Sequence, residues 1–118
     1  EKALAQLRQQ VDASQEVFDV VRRGMIAASG AGGTSSATFG NYPISVASKT
    51  GTPETHQFPN STFIAYAPAD DPQIAVAVVI EKGWHGYTGA PVAKAIFDEY
   101  FSLNATPAQV PPKGELLP

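Results

Sequence analysis

Apolar positions along the chain recur with two different periods, and the change of period divides it into elements. Val17, Val20, Val21, Met25 and Ala28 fall three and four residues apart, on one face of a helix, and predict a helix over about 14–28. Asp12 or Ser14 can cap its start and Gly30 can end it. Gly24 lies inside the pattern, where glycine costs about 1 kcal/mol against alanine, and reads as a close backbone contact. Upstream, Leu4, Leu7 and Val11 form a weaker stripe, either a helix or a connection. Residues 29–43 are rich in Gly, Ala, Ser and Thr and read as a loop, either flexible or drawn close to a site.

The period then shortens. Residues 44–51 alternate before turning small and polar, and predict a strand ending near Pro53. Residues 62–67 carry Phe63, Ile64 and Tyr66 and predict a second strand. Pro68-Ala69-Asp70-Asp71-Pro72 is a turn signal. The run 74–81 begins with seven apolar Ile, Ala and Val residues, which predicts a central strand buried on both faces and forming an antiparallel hairpin with its predecessor. A last helix over about 89–102 has Thr88 as a cap, Pro91 in its first turn and Val92, Ile96, Phe97, Tyr100 and Leu103 on its apolar face. Residues 104–118 hold four prolines and read as an extended tail, apart from a domain over 1–103. The class is α+β: an antiparallel sheet with flanking helices. Three strands are few for a doubly buried one, so further elements are expected from elsewhere, and with them a partner to cover the apolar 74–80 run.

Composition narrows the functions. The 118 residues carry a formal net charge of −3, which argues against a nucleic-acid binder relying on a basic face. No apolar run approaches the roughly 20 residues of a membrane helix, so no membrane contact is expected from this segment. With no cysteine, disulfides, thiolate metal sites and cysteine nucleophiles are excluded. Glu1-Lys2-Ala3 has neither an initiating methionine nor a signal-like stretch, and reads as a cut through a longer chain.

The candidate chemistry lies in Lys49-Thr50-Gly51-Thr52, an ammonium, two hydroxyls and an uncluttered backbone within four residues. On an extended strand Lys49 and Gly51 face one way, Thr50 and Thr52 the other. Glycine lets a ligand lie against the backbone, and a lysine with hydroxyl donors suits a carboxylate. A backbone N–H after the glycine can face a developing oxyanion. The plain alternative is a solvated strand end with a turn glycine. From average residue usage this tetrapeptide arises by chance in such a chain on the order of once in a thousand.

These residues and their order resemble the C-terminal part of the transpeptidase domain of class B penicillin-binding proteins, a family with a Lys-Thr-Gly element beside S-x-x-K and S-x-N elements. Residues 18–25 (Phe-Asp-Val-Val-Arg-Arg-Gly-Met) resemble the family's Gly-Met helix, Gly32-Gly33-Thr34 its glycine-threonine loop, and 46–52 its motif strand. The stretches 63–68 and 74–81 resemble the next two strands, and 90–101 the closing helix. The resemblance covers about residues 12–103. Ser48 stands where the family usually has glycine, and Pro53 and Glu54 where alanine and glutamine are common, which puts the strand's exit in question. No S-x-x-K occurs in the chain. Ser102-Leu103-Asn104 matches S-x-N but follows the motif strand, in the wrong order.

The resemblance implies a peptidoglycan D,D-transpeptidase acting through a serine acyl-enzyme and acylated by β-lactams, with no cofactor or metal. The nucleophile and the S-x-N element belong to an upstream part of the same domain, which is the expected partner; this segment alone is expected to be inactive. Lys49 and Thr52 are implied as catalytic, and Thr50, Gly51 and Thr52 as substrate-binding: Lys49 as charge near the substrate carboxylate and a hydrogen-bond donor to the S-x-N serine, Thr50 and Thr52 as carboxylate ligands, the Thr52 N–H as an oxyanion donor. The implied substrates are peptidoglycan stem peptides, and the implied place is the outer face of the bacterial cytoplasmic membrane, anchored through a missing N-terminal segment. A β-lactamase, a D,D-carboxypeptidase, a β-lactam sensor or a non-catalytic binding module remains as an alternative. His56, His85, Arg22 and Arg23 read as surface residues, Asp70 and Asp71 as turn residues, and Trp84 and Tyr87 as loop or cleft-rim packing.

Overall fold

The computed structural model describes residues 5–103. The proposed tail at 104–118 and Asn104 lie outside the described residues, as does Leu4. The elements are α1 (Gln15–Ser29), α2 (Ser36–Phe39), β1 (Ala47–Gly51), β2 (Ser61–Ala67), β3 (Ile74–Ile80), a 3-10 turn (Gly86–Gly89) and α3 (Ala90–Tyr100). The architecture is α+β, with one antiparallel sheet in the order β1-β2-β3.

α1 begins at Ser14, whose hydroxyl accepts the Val17 N–H at 3.4 Å, and ends at Gly30, whose N–H reaches the Ile26 and Ala27 carbonyls. Gly24 is not a close contact: an added Cβ would meet nothing within 4 Å. Residues 5–14 form no regular structure, and Leu7 and Val11 are exposed, so the weak stripe there is a connection. Residues 29–43 are more ordered than a simple loop. Gly32 adopts φ +77°, which favours glycine. An added Cβ at Gly33 would collide with the Ala27 and Ala28 carbonyls, and α2 carries Phe39 into the core.

β1 starts at Ala47 rather than at residue 44, because its ladder with β2 begins where Ala47 stands opposite Tyr66. Among the described residues β2 is the middle strand. Its odd-numbered residues are buried, and Phe63 is 1% exposed. β3 is an edge strand among the described residues. Ile74, Val76, Val78 and Ile80 turn toward the core, while Ala75, Ala77 and Val79 are open to solvent. The described elements cover one face of β3, and the elements expected from elsewhere to cover the other are not among them.

The core gathers Phe39, Val46, Phe63, Ala65, Ala67, Ala90, Ala93 and Phe97. The Phe39 ring lies 6.2 Å from Phe63 and 6.1 Å from Phe97, joining α2, β2 and α3. Burying each such ring contributes about 1.5–3 kcal/mol. α3 has Pro91 in its first turn, as expected, but no side-chain cap. The Thr88 hydroxyl instead donates to the Gly83 carbonyl at 2.9 Å.

Candidate active site

β1 places the Lys-Thr-Gly-Thr run at an edge of the sheet, because it pairs with β2 on one side and with no other described strand. Cross-strand register sorts its side chains. Lys49 opposes Ile64 and Gly51 opposes Thr62, on the outward face; Ser48 opposes Ala65 and Thr50 opposes Phe63, on the core face. Lys49 is exposed, and its ammonium donates to the Thr50 carbonyl. Thr50 is half-buried, its Oγ1 3.5 Å from that of Thr34 in the loop before α2.

Gly51 has a packing reason as well as a chemical one. The Thr62 hydroxyl stands where a Gly51 Cβ would go. On the strand's other side Gly86 presses so close that its own Cβ would lie 2.7 Å from the Gly51 nitrogen. The Gly86 N–H donates to the exposed Thr52 hydroxyl at 3.0 Å. A hydroxyl that accepts one hydrogen bond keeps its proton for another acceptor, so Thr52 is an oriented donor at the strand end. The site thus combines an exposed cation, two hydroxyls and an edge backbone, a set suited to an anionic, extended ligand.

Gly86 was not singled out in the sequence, although a signal existed: Gly83, Gly86 and Gly89 are spaced by three. Each closes on the sheet, against Ser61, Gly51 and Phe63 in turn. Ser48 is also more than a departure from a pattern. It is fully buried and bonded to Ser29 and Ser35, each at 2.8 Å.

Residues read as bland are mostly placed so. His56, Arg22 and Arg23 are exposed, and Asp70 accepts the Ser45 hydroxyl in the β2–β3 turn. Trp84 and Tyr87 belong to separate pairs, Trp84 tilted against Phe58 at 4.9 Å and Tyr87 stacked on His85 at 5.1 Å. Among the described residues no group of three His, Asp or Glu is arranged to hold a metal ion, and no helix is long and apolar enough to cross a membrane.

Residues 4–102 match the family model of the penicillin binding protein transpeptidase domain. The chain belongs to this family. The chain's relatives include the peptidoglycan D,D-transpeptidase MrdA of Acinetobacter baumannii, 48% identical over 42 residues, which are 36% of this chain and 6% of that protein. The peptidoglycan D,D-transpeptidase PbpA of Mycobacterium tuberculosis is 38% identical over 66 residues, 47% of this chain and 13% of its own length. The fold superposes on Pseudomonas aeruginosa PBP2, solved in complex with WCK 5153, with a TM-score of 0.69 and 35% identity over 77% of this chain and 21% of that one. It superposes on penicillin-binding protein A of M. tuberculosis, solved as an imipenem acyl-enzyme, with a TM-score of 0.64 and 31% identity over 79% of this chain and 21% of that one. The chain therefore corresponds to a segment of a penicillin-binding protein transpeptidase domain and spans a small part of the length of these relatives.

Proposed function

We propose that this chain supplies one wall of the active site of a serine-type peptidoglycan D,D-transpeptidase. The observation that carries the reading is the placement of Lys49–Gly51 on the edge of β1 that pairs with no described strand, with Thr52 just past its end and its hydroxyl accepting the Gly86 N–H, in a chain of the transpeptidase family. The nucleophilic serine comes from the part of the domain that precedes this segment. It attacks the penultimate D-Ala carbonyl of a stem peptide and expels the terminal D-Ala. An amine of a neighbouring stem peptide then resolves the acyl-enzyme and forms the cross-link. β-Lactams enter the same route and stop at the acyl-enzyme.

In this reading Lys49 brings positive charge to the substrate carboxylate and a hydrogen bond to the serine of the S-x-N element. The Thr50 and Thr52 hydroxyls bind the carboxylate, and the Thr52 backbone N–H serves as one oxyanion donor, a group whose loss elsewhere costs about 3–4 kcal/mol of barrier. Gly51 keeps the strand edge open for a substrate that adds as an extended segment. The open face of β3 and the exposed Val17, Val20 and Val21 of α1 are where the remainder of the domain packs. The segment by itself is inactive, and the whole protein works at the outer face of the cytoplasmic membrane, held by an N-terminal anchor.

The test is labelling of the full-length protein with a fluorescent penicillin. Wild type is expected to label covalently, and Lys49→Ala to label far more slowly or not at all. Labelling of Lys49→Ala at the wild-type rate would sink the assignment.

A further inference from the structure

Three serines from three separate places meet beneath the Lys-Thr-Gly-Thr strand. Ser29 is the last residue of α1, Ser35 precedes α2, and Ser48 is the second residue of β1. They are 4%, 1% and 0% exposed. The Ser48 hydroxyl lies 2.8 Å from that of Ser29 and 2.8 Å from that of Ser35, and the Ser35 hydroxyl donates to the Ala28 carbonyl at 3.0 Å. One assignment uses every proton: Ser29 donates to Ser48, Ser48 to Ser35, and Ser35 to the backbone of α1. The chain of bonds therefore starts and ends on the C-terminal turn of α1 and passes through β1. Buried hydroxyls of this kind specify one arrangement more sharply than apolar packing does, because a shift of any member leaves its neighbours unpaired.

Two of the members sit next to groups of the site. Ser48 shares its face of β1 with Thr50, two residues on. Ser35 follows Thr34, whose Oγ1 lies 3.5 Å from that of Thr50. The same bonds thus hold both the strand that carries Thr50 and the loop that carries Thr34. We propose that the Ser29–Ser48–Ser35 hydroxyl chain is a positioning device for acylation, setting the height and register of β1 so that Thr50 and the Thr52 N–H meet the reacting carbonyl and its neighbouring carboxylate. This rests on the transpeptidase reading above. Ser48 acts through the strand and touches no substrate.

The experiment measures acylation of the full-length protein by a chromogenic or fluorescent β-lactam, resolving the acylation constant k2 from the non-covalent Kd, beside the melting temperature. Ser48→Ala and Ser35→Ala are each expected to lower k2 by roughly tenfold, since small misplacements at a reacting centre carry large rate penalties. Kd is expected to change less than k2, and the double variant to be no slower than the slower single, because the hydroxyls act as one unit. A fall in melting temperature with wild-type k2 and Kd would mean that the serines only stabilise the fold, and would overturn the inference. If Lys49→Ala fails to acylate while both serine variants acylate normally, the inference falls and the transpeptidase reading stands. If Lys49→Ala acylates like wild type, the reading beneath it falls. Should Ser48→Ala not fold, Ser35→Ala and Ser29→Ala, which remove the other two hydroxyls of the chain, carry the same measurement, with wild-type k2 in both again overturning the inference.

Discussion

Among single residues, the glycines around the motif show how packing and chemistry share one position. A glycine within a lysine-threonine strand reads from sequence as room for a ligand. In the structure the space above Gly51 holds the Thr62 hydroxyl, and the space below holds Gly86. Adding a methyl group at Gly86 would place it 2.7 Å from the Gly51 nitrogen, and backbone rather than a flexible side chain would have to give. Gly86→Ala is therefore expected to destabilise the protein by about 1–3 kcal/mol, the usual range for overpacking, and to slow penicillin labelling by displacing Thr52. Thermal denaturation and labelling of the full-length variant check both effects; an unchanged melting temperature would mean that the turn relaxes freely away from β1. The residue types and spacing of the motif were legible in the sequence. The partners of Gly51 were not, because Thr62 and Gly86 lie 11 and 35 residues away along the chain.

Between elements, α3 is fastened to the segment before β1 by a polar group beside the aromatic core. The Tyr42 hydroxyl donates to Asp98 at 2.8 Å, and Lys94 one turn earlier on α3 donates to the other carboxylate oxygen at 2.7 Å. The hydrogen bond from Lys94, then that from Tyr42, holds the Asp98 carboxyl below its ordinary range, and burial followed by the Asp98 contact pushes the Tyr42 phenol up. A lowered carboxyl stabilises the fold above its unfolded pKa, about 4, and that contribution is lost as pH falls through the folded value. A raised phenol has the opposite sense: its contribution is complete below about pH 10 and is lost as pH rises through the folded value. Tyr42→Phe should thus cost about 1–2 kcal/mol in denaturant unfolding at neutral pH, and less in acid, where Asp98 is protonated in both forms. A cost that stays the same as pH falls from 7 through the folded pKa of Asp98 would contradict this origin. The two long helices and three strands were readable from periodicity. α2 and the 3-10 turn were not, being four residues each and rich in Gly, Ser and Thr; tertiary contacts hold them, among them those of Phe39 with Phe63 and Phe97 and of Gly86 with β1.

Across the molecule as a whole, the chain carries apolar surface that its described elements do not cover. Val79 is 69% exposed and Ile64 48%, beside Ala75 and Ala77 on the same open face of the sheet. The α1 stripe adds Val17, Phe18, Val20 and Val21, all exposed, and β3 offers an unpaired edge among the described residues. Such a face and edge invite association. The isolated 118-residue chain is expected to self-associate and to bind an apolar dye at micromolar concentration, whereas the full-length protein is not. Size-exclusion chromatography with light scattering checks this. A monodisperse, dye-silent monomer of the isolated chain would show that these surfaces close by rearrangement.

Local pattern settled the class of fold, the hairpin, the motif strand and the likeness to transpeptidases, because alternation, helical spacing and a short run of chemical groups are properties of neighbouring residues. What covers the second face of β3 was not legible for a related reason: an unbroken apolar run records how apolar a strand is, not what stands beside it. Folding in three dimensions was needed to make β2 the middle strand, to bring Phe39 of α2 between Phe63 and Phe97, to let Gly86 orient Thr52, and to join Ser48 to Ser29 and Ser35 under the motif. Each of these is a contact between distant residues, and it exists because a close-packed interior admits few ways to satisfy every buried polar group at once.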